Sequence, residues 1–231
     1  MNREVVAHTE RYRIIKQPLG LYKANCYVII YKDVEGEKAV VIDPGLHAKQ
    51  VMDMVGKAKV TAILLTHGHC DHVCAVEGVY AMTKAPVYMH AGDEELLHAK
   101  RRMPSSYKGM FTAPFITISE SILDVGGLSF YVYETPGHSR GSVMFQLEGY
   151  LFTGDTLFKD SVGTTKNYNG DEQSLTQTLR RLSFWDPSLI ILPGHAEITT
   201  LGRELLYNEK LKSYINTSDT GRLKLKKRLT K

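Results

Sequence analysis

A segment of seven residues, Thr66 to His72, concentrates possible metal ligands and reads Thr-His-Gly-His-Cys-Asp-His. His67 and His69 are two residues apart, so in an extended chain their side chains point to the same side and can share one metal ion. Asp71 and His72 follow where the pattern becomes helical, which would direct them at a second metal about 3.5–4 Å from the first. The segment therefore predicts a two-metal site, and the fold must bring further ligands to it.

The length and composition are typical of one domain without a membrane-spanning segment. At 231 residues the chain can bury one large core, and we expect a single domain over residues 1–220 with a basic tail at residues 221–231. No apolar run approaches the ~20 residues of a transmembrane helix, and the charged N-terminus does not resemble a secretory signal. Three cysteines (Cys26, Cys70 and Cys74) indicate no disulfide framework. We therefore expect a cytoplasmic protein that does not bind membranes.

The formal net charge of +4 is concentrated at the C-terminus. Residues 221–231 hold six basic residues and no acidic one, so subtracting six from +4 leaves −2 for the other 220 residues. The tail is interpreted as a solvated C-terminus, with contact to an anionic partner as the alternative. Because the body carries no excess positive charge, we expect a small-molecule substrate and no nucleic-acid partner.

Apolar patterning predicts strands that alternate with helices in both halves of the chain. The predicted strands cover residues 14–15, 26–31, 39–42, 60–65, 86–89, 128–134, 142–147, 150–152 and 189–192. Helices are predicted after residue 45, from residue 73, over 91–100 with Asp93 and Glu94 favouring its start, over 175–182, and from residue 199 or 200. Pro18, Leu19 and Gly20 read as a turn. We expect two facing sheets with helices outside, a four-layer αββα sandwich of the α/β class.

Two segments without periodicity, residues 101–114 and 160–170, read as irregular loops. The first contains Pro104, Gly109 and Pro114 among basic residues, and it could equally be a lid over a site or a solvated connection. Lys166 and Tyr168 in the second segment, together with the basic residues of 101–108, are weak candidates for binding a substrate carboxylate. Solvated side chains are the simpler interpretation of all of them.

Three later strands each end in a glycine that is followed at once by a possible ligand. The segments are Pro136-Gly137-His138, Thr153-Gly154-Asp155 and Pro193-Gly194-His195. Glycine permits a tight change of direction, so each ligand can be presented at the edge of a sheet. Strand ends aligned along one edge would bring these ligands to the Thr66–His72 segment. The resulting five imidazoles and two carboxylates suit two divalent ions such as zinc, with a coordination position left for water.

In the order of these motifs, the chain resembles the metallo-β-lactamase superfamily of hydrolases over roughly residues 14–210. The resemblance implies that a first metal is bound by His67, His69 and His138, and a second by Asp71, His72 and His195, with Asp155 bridging both. The two ions would be divalent, most simply zinc, with iron or manganese as alternatives. Asp43 matches a family aspartate that holds ligands in orientation; alternatively it is the first residue of an Asp-Pro-Gly turn.

Within the superfamily, residues 154–170 (GDTLFKDSVGTTKNYNG) and the ending LPGHAEITTLGRE resemble short bacterial relatives of glyoxalase II, the hydroxyacylglutathione hydrolases. This likeness implies hydrolysis of a thioester by water that the metals acidify, with Asp71 and Asp155 as the catalytic carboxylates. The chain differs from such proteins at Thr164, where arginine is common, and at Cys70, where alanine is common. We expect Cys70 to be a small buried side chain. The helical extension that holds glutathione in full-length glyoxalase II is not recognised, so the thiol carrier stays open.

Other activities are compatible with parts of this ligand set. A persulfide dioxygenase of the same fold would hold one iron with His67, His138 and Asp155. A phosphodiesterase acting on RNA is disfavoured by the charge of the body, and a β-lactamase by the bridging Asp155, which is typical of other branches. A structural metal protein is disfavoured because no cysteines close the coordination spheres. The remaining histidines have no motif and are interpreted as surface or core residues: His8, His47, His90 and His98.

Overall fold

The computed structural model describes residues 3–98 and 111–216 and arranges their strands in two mixed sheets and one short hairpin. The first sheet contains, in spatial order, β1 (Glu4–His8), β2 (Tyr12–Leu19), β3 (Ala24–Asp33), β4 (Gly36–Ile42), β5 (Lys59–Leu64), β6 (Val87–His90) and β7 (Phe115–Ile118). The second contains β8 (Ser121–Val125), β9 (Leu128–Glu134), β10 (Val143–Leu147), β11 (Tyr150–Gly154), β14 (Ile190–Pro193) and β15 (Thr199–Thr200) side by side. The hairpin pairs β12 (Leu157–Phe158) with β13 (Ser161–Val162).

Seven short α-helices connect or flank these strands in the described part of the chain. They are α1 (Ala48–Val55), α2 (Cys70–Val73), α3 (Val76–Thr83), α4 (Glu94–His98), α5 (Glu172–Leu182), α6 (Leu201–Tyr207) and α7 (Glu209–Ile215), and a 3₁₀ helix, Ala91–Asp93, precedes α4. Asp171 caps α5 by accepting a hydrogen bond from the Ser174 amide at 2.6 Å, and Thr200 caps α6 in the same way. None of the described helices has the length and apolar character needed to cross a bilayer.

The apolar run of β3 shows why the central strands form. Cys26 and Val28 face a core shared with α1 and α3, whereas Tyr27 and Ile29 face the second sheet. Side chains alternate between the two faces of a strand, so a strand buried on both faces needs apolar residues at every position. The uninterrupted pattern CYVIIY is therefore the sequence of a strand in the middle of the molecule.

Three apolar cores separate four layers. The first lies between the helices α1 and α3 and the first sheet, and the second lies between the sheets, where Phe130, Phe145 and Phe152 are fully or nearly fully buried. In the third, Leu175 and Leu179 of α5 pack on the outer face of the second sheet. The predicted four-layer αββα sandwich is confirmed.

The longer strands that the sequence patterns did not predict, those of four or five residues, are edge strands. β1 and β7 lie at the two edges of the first sheet, and β8 lies at an edge of the second. Most of their residues are exposed or half-buried, so they lack the apolar run that marks a central strand. Their position depends on pairing with a neighbour, which local sequence does not encode.

The turn predicted at residues 18–20 is wrong in its position. Pro18 and Leu19 belong to β2 and pair with Asn25 and Ala24 of β3, and the turn covers residues 20–23. Along the described chain, β1 pairs with β2 no further than Lys16, so a proline beyond that point costs no hydrogen bond to β1. Most of the predicted loop at 101–114, namely 101–110, and the boundary at residue 220 with its basic tail lie outside the described residues and stay predictions.

The hairpin between β8 and β9 offers a matched test of steric crowding. Gly126 and Gly127 have φ of +60° and +90°, and a Cβ on Gly126 would lie 1.9 Å from Tyr31 Oη, whereas one on Gly127 would meet nothing within 4 Å. We expect Gly127→Ala to lower the free energy of unfolding by about 1–2 kcal/mol through backbone strain. Gly126→Ala should cost about 1–3 kcal/mol more, because Tyr31 must move. Urea denaturation measures both losses, and equal losses would contradict the crowding.

Candidate metal centre

The predicted ligands lie where strands of both sheets end at one edge of the sandwich. β4 and β5 run parallel, so the residues after them, Asp43 and Thr66, lie side by side. β11 and β14 are also parallel, and they place Asp155 next to His195, with the Gly194 amide donating to the Gly154 carbonyl at 2.7 Å. The Val143 amide donates to the Thr66 carbonyl at 2.8 Å and ties the two sheets together at this edge.

Two glycines allow the strand ends to approach each other closely. Gly154 has φ of +48°, and a Cβ there would lie 2.5 Å from Thr66 Oγ1. A Cβ on Gly194 would lie 2.2 Å from Asp155 Oδ1 and 2.8 Å from His72 Cε1. No real side chain fits at such distances, so glycine at these positions is a condition for the geometry of the neighbouring ligands.

The seven predicted ligand side chains form two adjacent groups that share Asp155. His67, His69 and His138 offer ligand atoms within 4.8 Å of one another, and so do Asp71, His72 and His195. Asp155 Oδ2 lies 3.6 Å from Nε2 of His138 in the first group and 3.4 Å from Nε2 of His195 in the second. Asp155 Oδ1 lies 3.3 Å from His72 Nε2. The arrangement could hold two cations that share one carboxylate.

Hydrogen bonds on the outer side of two rings fix which nitrogen carries the proton. His138 Nδ1 lies 2.8 Å from the carbonyl oxygen of Thr164, and His195 Nδ1 lies 3.0 Å from that of Tyr22. Because a carbonyl oxygen only accepts, both Nδ1 atoms must donate. When these rings are neutral, their Nε2 lone pairs are therefore directed at the centre of the site.

Asp43 fixes two more rings in the same way. Its carboxylate accepts hydrogen bonds from the Thr66 amide at 2.8 Å, from the Thr66 hydroxyl at 2.6 Å and from His72 Nδ1 at 2.9 Å. Since the Thr66 hydroxyl donates to Asp43, its lone pair accepts from His67 Nδ1 at 3.0 Å. Asp43, His67 and His72 are also close enough to hold an ion themselves. The carboxylate is already engaged by three donors, which favours an orienting role.

The inward-facing nitrogens fit a metal site better than a protein core. His67 Nε2 is buried and has no hydrogen-bond partner among the described residues. His69 Nδ1 lies 2.9 Å from His138 Nε2, and His72 Nε2 lies 3.3 Å from His195 Nε2. Buried lone pairs that face each other are costly unless a proton or a cation lies between them. Imidazoles and carboxylates are the donors that zinc and related divalent ions prefer, so the residues fit such ions.

The charges of the two groups differ when no cation is bound. Burial, with neighbouring imidazoles, lowers the pKa of His67 well below its ordinary value and brings the pKa of His69 to about 4. Burial also acts on His72 and His195, but adjacent carboxylates outweigh it, raising the pKa of His72 well above its ordinary value and that of His195 to about 9. Burial opposes ionisation of Asp155, yet these histidines hold its pKa well below the ordinary value. The second group is therefore an ion-pair network built around carboxylates, which attract cations.

A cavity of about 420 Å³ opens onto both groups. It is lined by Tyr22, His69, Cys70, Asp71, Leu96, His138, Asp155, Asn167 and Tyr168. Tyr168, a predicted substrate contact, lines the cavity, and its hydroxyl donates to Glu95 at 3.1 Å. Lys166 is exposed and is not among the lining residues. The sequence patterns did not predict that Tyr22 and Leu96 line the cavity, because these residues come from a turn and a short helix that carry no motif.

Cys70 differs from the prediction that it is buried. Its side chain is partly exposed and lines the cavity, because it is the first residue of α2 and lies at the edge of the sheet. Its thiol hydrogen-bonds to that of Cys74, one helical turn later. Three of the histidines without a motif also lie outside both groups: His8 and His47 are exposed, and His90 accepts a hydrogen bond from the Gly92 amide. The side chain of His98 is outside the described part of the chain, and its interpretation stays a prediction.

Known proteins are similar to this chain over most of its length. A family model described as the metallo-beta-lactamase superfamily matches residues 19–195. An uncharacterized protein of Mycobacterium tuberculosis is 34% identical over 212 residues, which cover 83% of this chain and 94% of that protein. Hydroxyacylglutathione hydrolase GloC of Haemophilus influenzae is 28% identical, over 85% of this chain and 96% of the hydrolase.

Solved structures agree with the family model. The B3 metallo-beta-lactamase BLEG-1 is 30% identical with a TM-score of 0.76, over 88% of this chain and 99% of its own. TTHA1623, in a di-iron-bound form, is 32% identical with a TM-score of 0.74, over 84% and 98%. ETHE1 from Myxococcus xanthus is 25% identical with a TM-score of 0.67, over 87% of each chain. Since the matched residues run from the end of β2 to His195, the chain belongs to the metallo-β-lactamase superfamily, whose fold implies divalent metal ions.

Proposed function

We propose that the protein is a hydrolase with two metal ions that cleaves a thioester, such as a hydroxyacylglutathione. The observation that carries the proposal is the position of Asp155, which lies within 3.6 Å of both groups of ligands beside an open cavity. The name of GloC, a hydroxyacylglutathione hydrolase that aligns over 96% of its length, supports a thioester substrate. The carrier thiol and the acyl group are proposed only as a class.

The ligand assignment follows the two groups of side chains. His67, His69 and His138 would hold the first ion, Asp71, His72 and His195 would hold the second, and Asp155 would contribute to both. Zinc is the proposed metal, since five imidazoles and two carboxylates suit it, and iron and manganese are alternatives. When bound, such ions supply Lewis acidity, which polarises a carbonyl oxygen and acidifies water.

The protein's own residues prepare the reaction. Asp71 and Asp155 line the cavity, and their carboxylates accept hydrogen bonds from the attacking water and so orient it toward the thioester carbonyl. The aromatic ring of Tyr22 and the side chain of Leu96 provide an apolar wall, while Tyr168 contacts the polar part of the carrier from the opposite loop. Lys166, exposed on the same loop, is proposed to approach a substrate carboxylate.

A persulfide dioxygenase is the second candidate, because a structure that is 32% identical binds iron and because two imidazoles beside one carboxylate suit a single iron. One iron would then be held by His67, His138 and Asp155. Hydrolysis of β-lactams is tested alongside it, because BLEG-1 is a B3 metallo-beta-lactamase and is 30% identical. The three activities differ in their metal, in oxygen consumption and in the bond that is broken, so one set of assays separates them.

Metal content and turnover should distinguish these activities. We expect two divalent ions per purified chain, hydrolysis of S-lactoylglutathione, and no oxygen uptake with glutathione persulfide. Elemental analysis, a spectrophotometric thioester assay and an oxygen electrode give the three measurements, with nitrocefin as the β-lactam probe. Protein stripped by a chelator and then reloaded with zinc serves as the control. One iron per chain with oxygen consumption would refute the proposal.

Asp155→Ala removes the carboxylate that both groups share. We expect kcat/KM for the thioester to fall about a thousandfold or more and the metal content to fall with it. Asp53→Ala, which removes an exposed carboxylate on α1, is the matched control. Wild-type activity in the Asp155 variant would refute a bridging role.

Asp43→Asn tests the proposal that the Asp43 carboxylate orients the ligands and does not itself bind a metal ion. Asn also tolerates the left-handed backbone at this position, where φ is +50°, so the substitution changes the hydrogen bonds and not the fold of the turn. We expect metal affinity about 10–100-fold weaker, measured by competition with a chromogenic chelator. Asp53→Asn is the control. Unchanged affinity would show that Asp43 serves the turn alone.

A further inference from the structure

We propose that Asp93 is a positioning residue that locks the loops of the first metal group to each other and to the wall of the cavity. This inference rests on the ligand assignment proposed above. Asp93 ends the 3₁₀ helix before α4, and its side chain is completely buried. It belongs to neither group of ligands, and the sequence marks it only as a residue near a helix start.

The Asp93 carboxylate accepts four hydrogen bonds from three separate segments. Oδ2 accepts from the Gly68 amide at 2.8 Å and from the Ser139 hydroxyl at 2.6 Å. Oδ1 accepts from the Gly141 amide at 2.7 Å and from the Asn169 side-chain amide at 3.2 Å. Gly68 lies between His67 and His69 in the sequence, and Ser139 directly follows His138, so one carboxylate joins the loops that carry all three histidines.

The two loops pack directly on Asp93. A Cβ on Gly68 would lie 2.9 Å from Asp93 Cβ, and one on Gly141 would lie 2.6 Å from the Asp93 amide nitrogen. The carboxylate therefore cannot shift without moving a loop. Burying a carboxylate is costly unless hydrogen bonds compensate, and here every bond goes to a segment that forms the site.

The loops joined by Asp93 come from different sheets. His67 and His69 follow β5 of the first sheet, whereas His138 follows β9 of the second. The 2.9 Å separation between His69 Nδ1 and His138 Nε2 thus depends on how the two sheets meet, and Asp93 holds that junction. Asp93 therefore sets the geometry of the first metal group through the backbone and side chains of its loops, since its four hydrogen bonds go to Gly68, Ser139, Gly141 and Asn169.

Asn169 extends the same lock to the cavity. It adopts the left-handed conformation, with φ of +60°, and lies next to Tyr168 and close to Asn167, which both line the cavity. Its bond to Asp93 ties the substrate-side loop to the metal-side loops. Asp93 therefore couples the position of the bound substrate to the position of the first ion.

Asp93→Asn tests this positioning role. The side-chain amide nitrogen of asparagine would face N–H or O–H groups that now donate hydrogen bonds to the carboxylate. Titration of the metal-free protein with cobalt(II), followed by absorption, should show two tight sites in the wild type. In the variant we expect one site to bind about 10–100-fold more weakly and to change its spectrum, while the other is retained. KM for S-lactoylglutathione should rise and kcat should fall. Asp124→Asn, an exposed carboxylate on β8, is the matched control.

Two milder variants keep the test decisive if Asp93→Asn does not fold, which thermal unfolding of the metal-free protein will show. Ser139→Ala removes one of the four hydrogen bonds and should weaken the binding of the same ion by roughly 3–10-fold. Asn169→Ala should raise KM and leave cobalt affinity as it is. A cobalt affinity of Ser139→Ala equal to that of the wild type, together with an unchanged KM in Asn169→Ala, would overturn the role of Asp93. A wild type that binds no cobalt would instead refute the ligand assignment itself.

Discussion

The packing of the two sheets against each other is the constraint on which the site depends. Neither sheet carries a complete group of ligands: the first group combines residues after β5 with His138 after β9, and the second combines residues of α2 with His195 after β14. The aromatic core between the sheets, with Phe130, Phe145 and Phe152, therefore determines the distances between ligands as well as the stability of the fold.

The central part of the fold and the cluster of ligands could be predicted because their signals are local. Strands buried on both faces require unbroken apolar runs, as in β3, and a glycine after a strand marks a place where the backbone turns sharply. Parallel pairing then brings such strand ends to one edge. This rule identifies His138, Asp155 and His195, although they lie more than sixty residues from His72.

The parts that could not be predicted depend on contacts between distant segments. Edge strands such as β8 form because a neighbour offers hydrogen bonds, and their exposed residues show no apolar pattern. Tyr22 and Leu96 reach the cavity only through tertiary packing. Asp93 is the clearest case, since its sequence context is that of a helix start, whereas its four partners lie 25 to 76 residues away. The prediction that Cys70 is buried is wrong for the same reason, since tertiary packing places the start of α2 beside the cavity.

The distribution of ligands over both sheets has a consequence for folding. A bound ion would act as a crosslink between the two halves of the sandwich, and an ion that binds only the folded chain stabilises it by RT ln(1 + [L]/Kd), about 2.7 kcal/mol at a hundredfold excess over Kd. Linkage of this kind is reciprocal, so a change that stabilises the packing of the two sheets also raises the affinity for the metal. Substitutions in the aromatic core would then weaken metal retention, and a shortage of metal would lower the amount of folded protein.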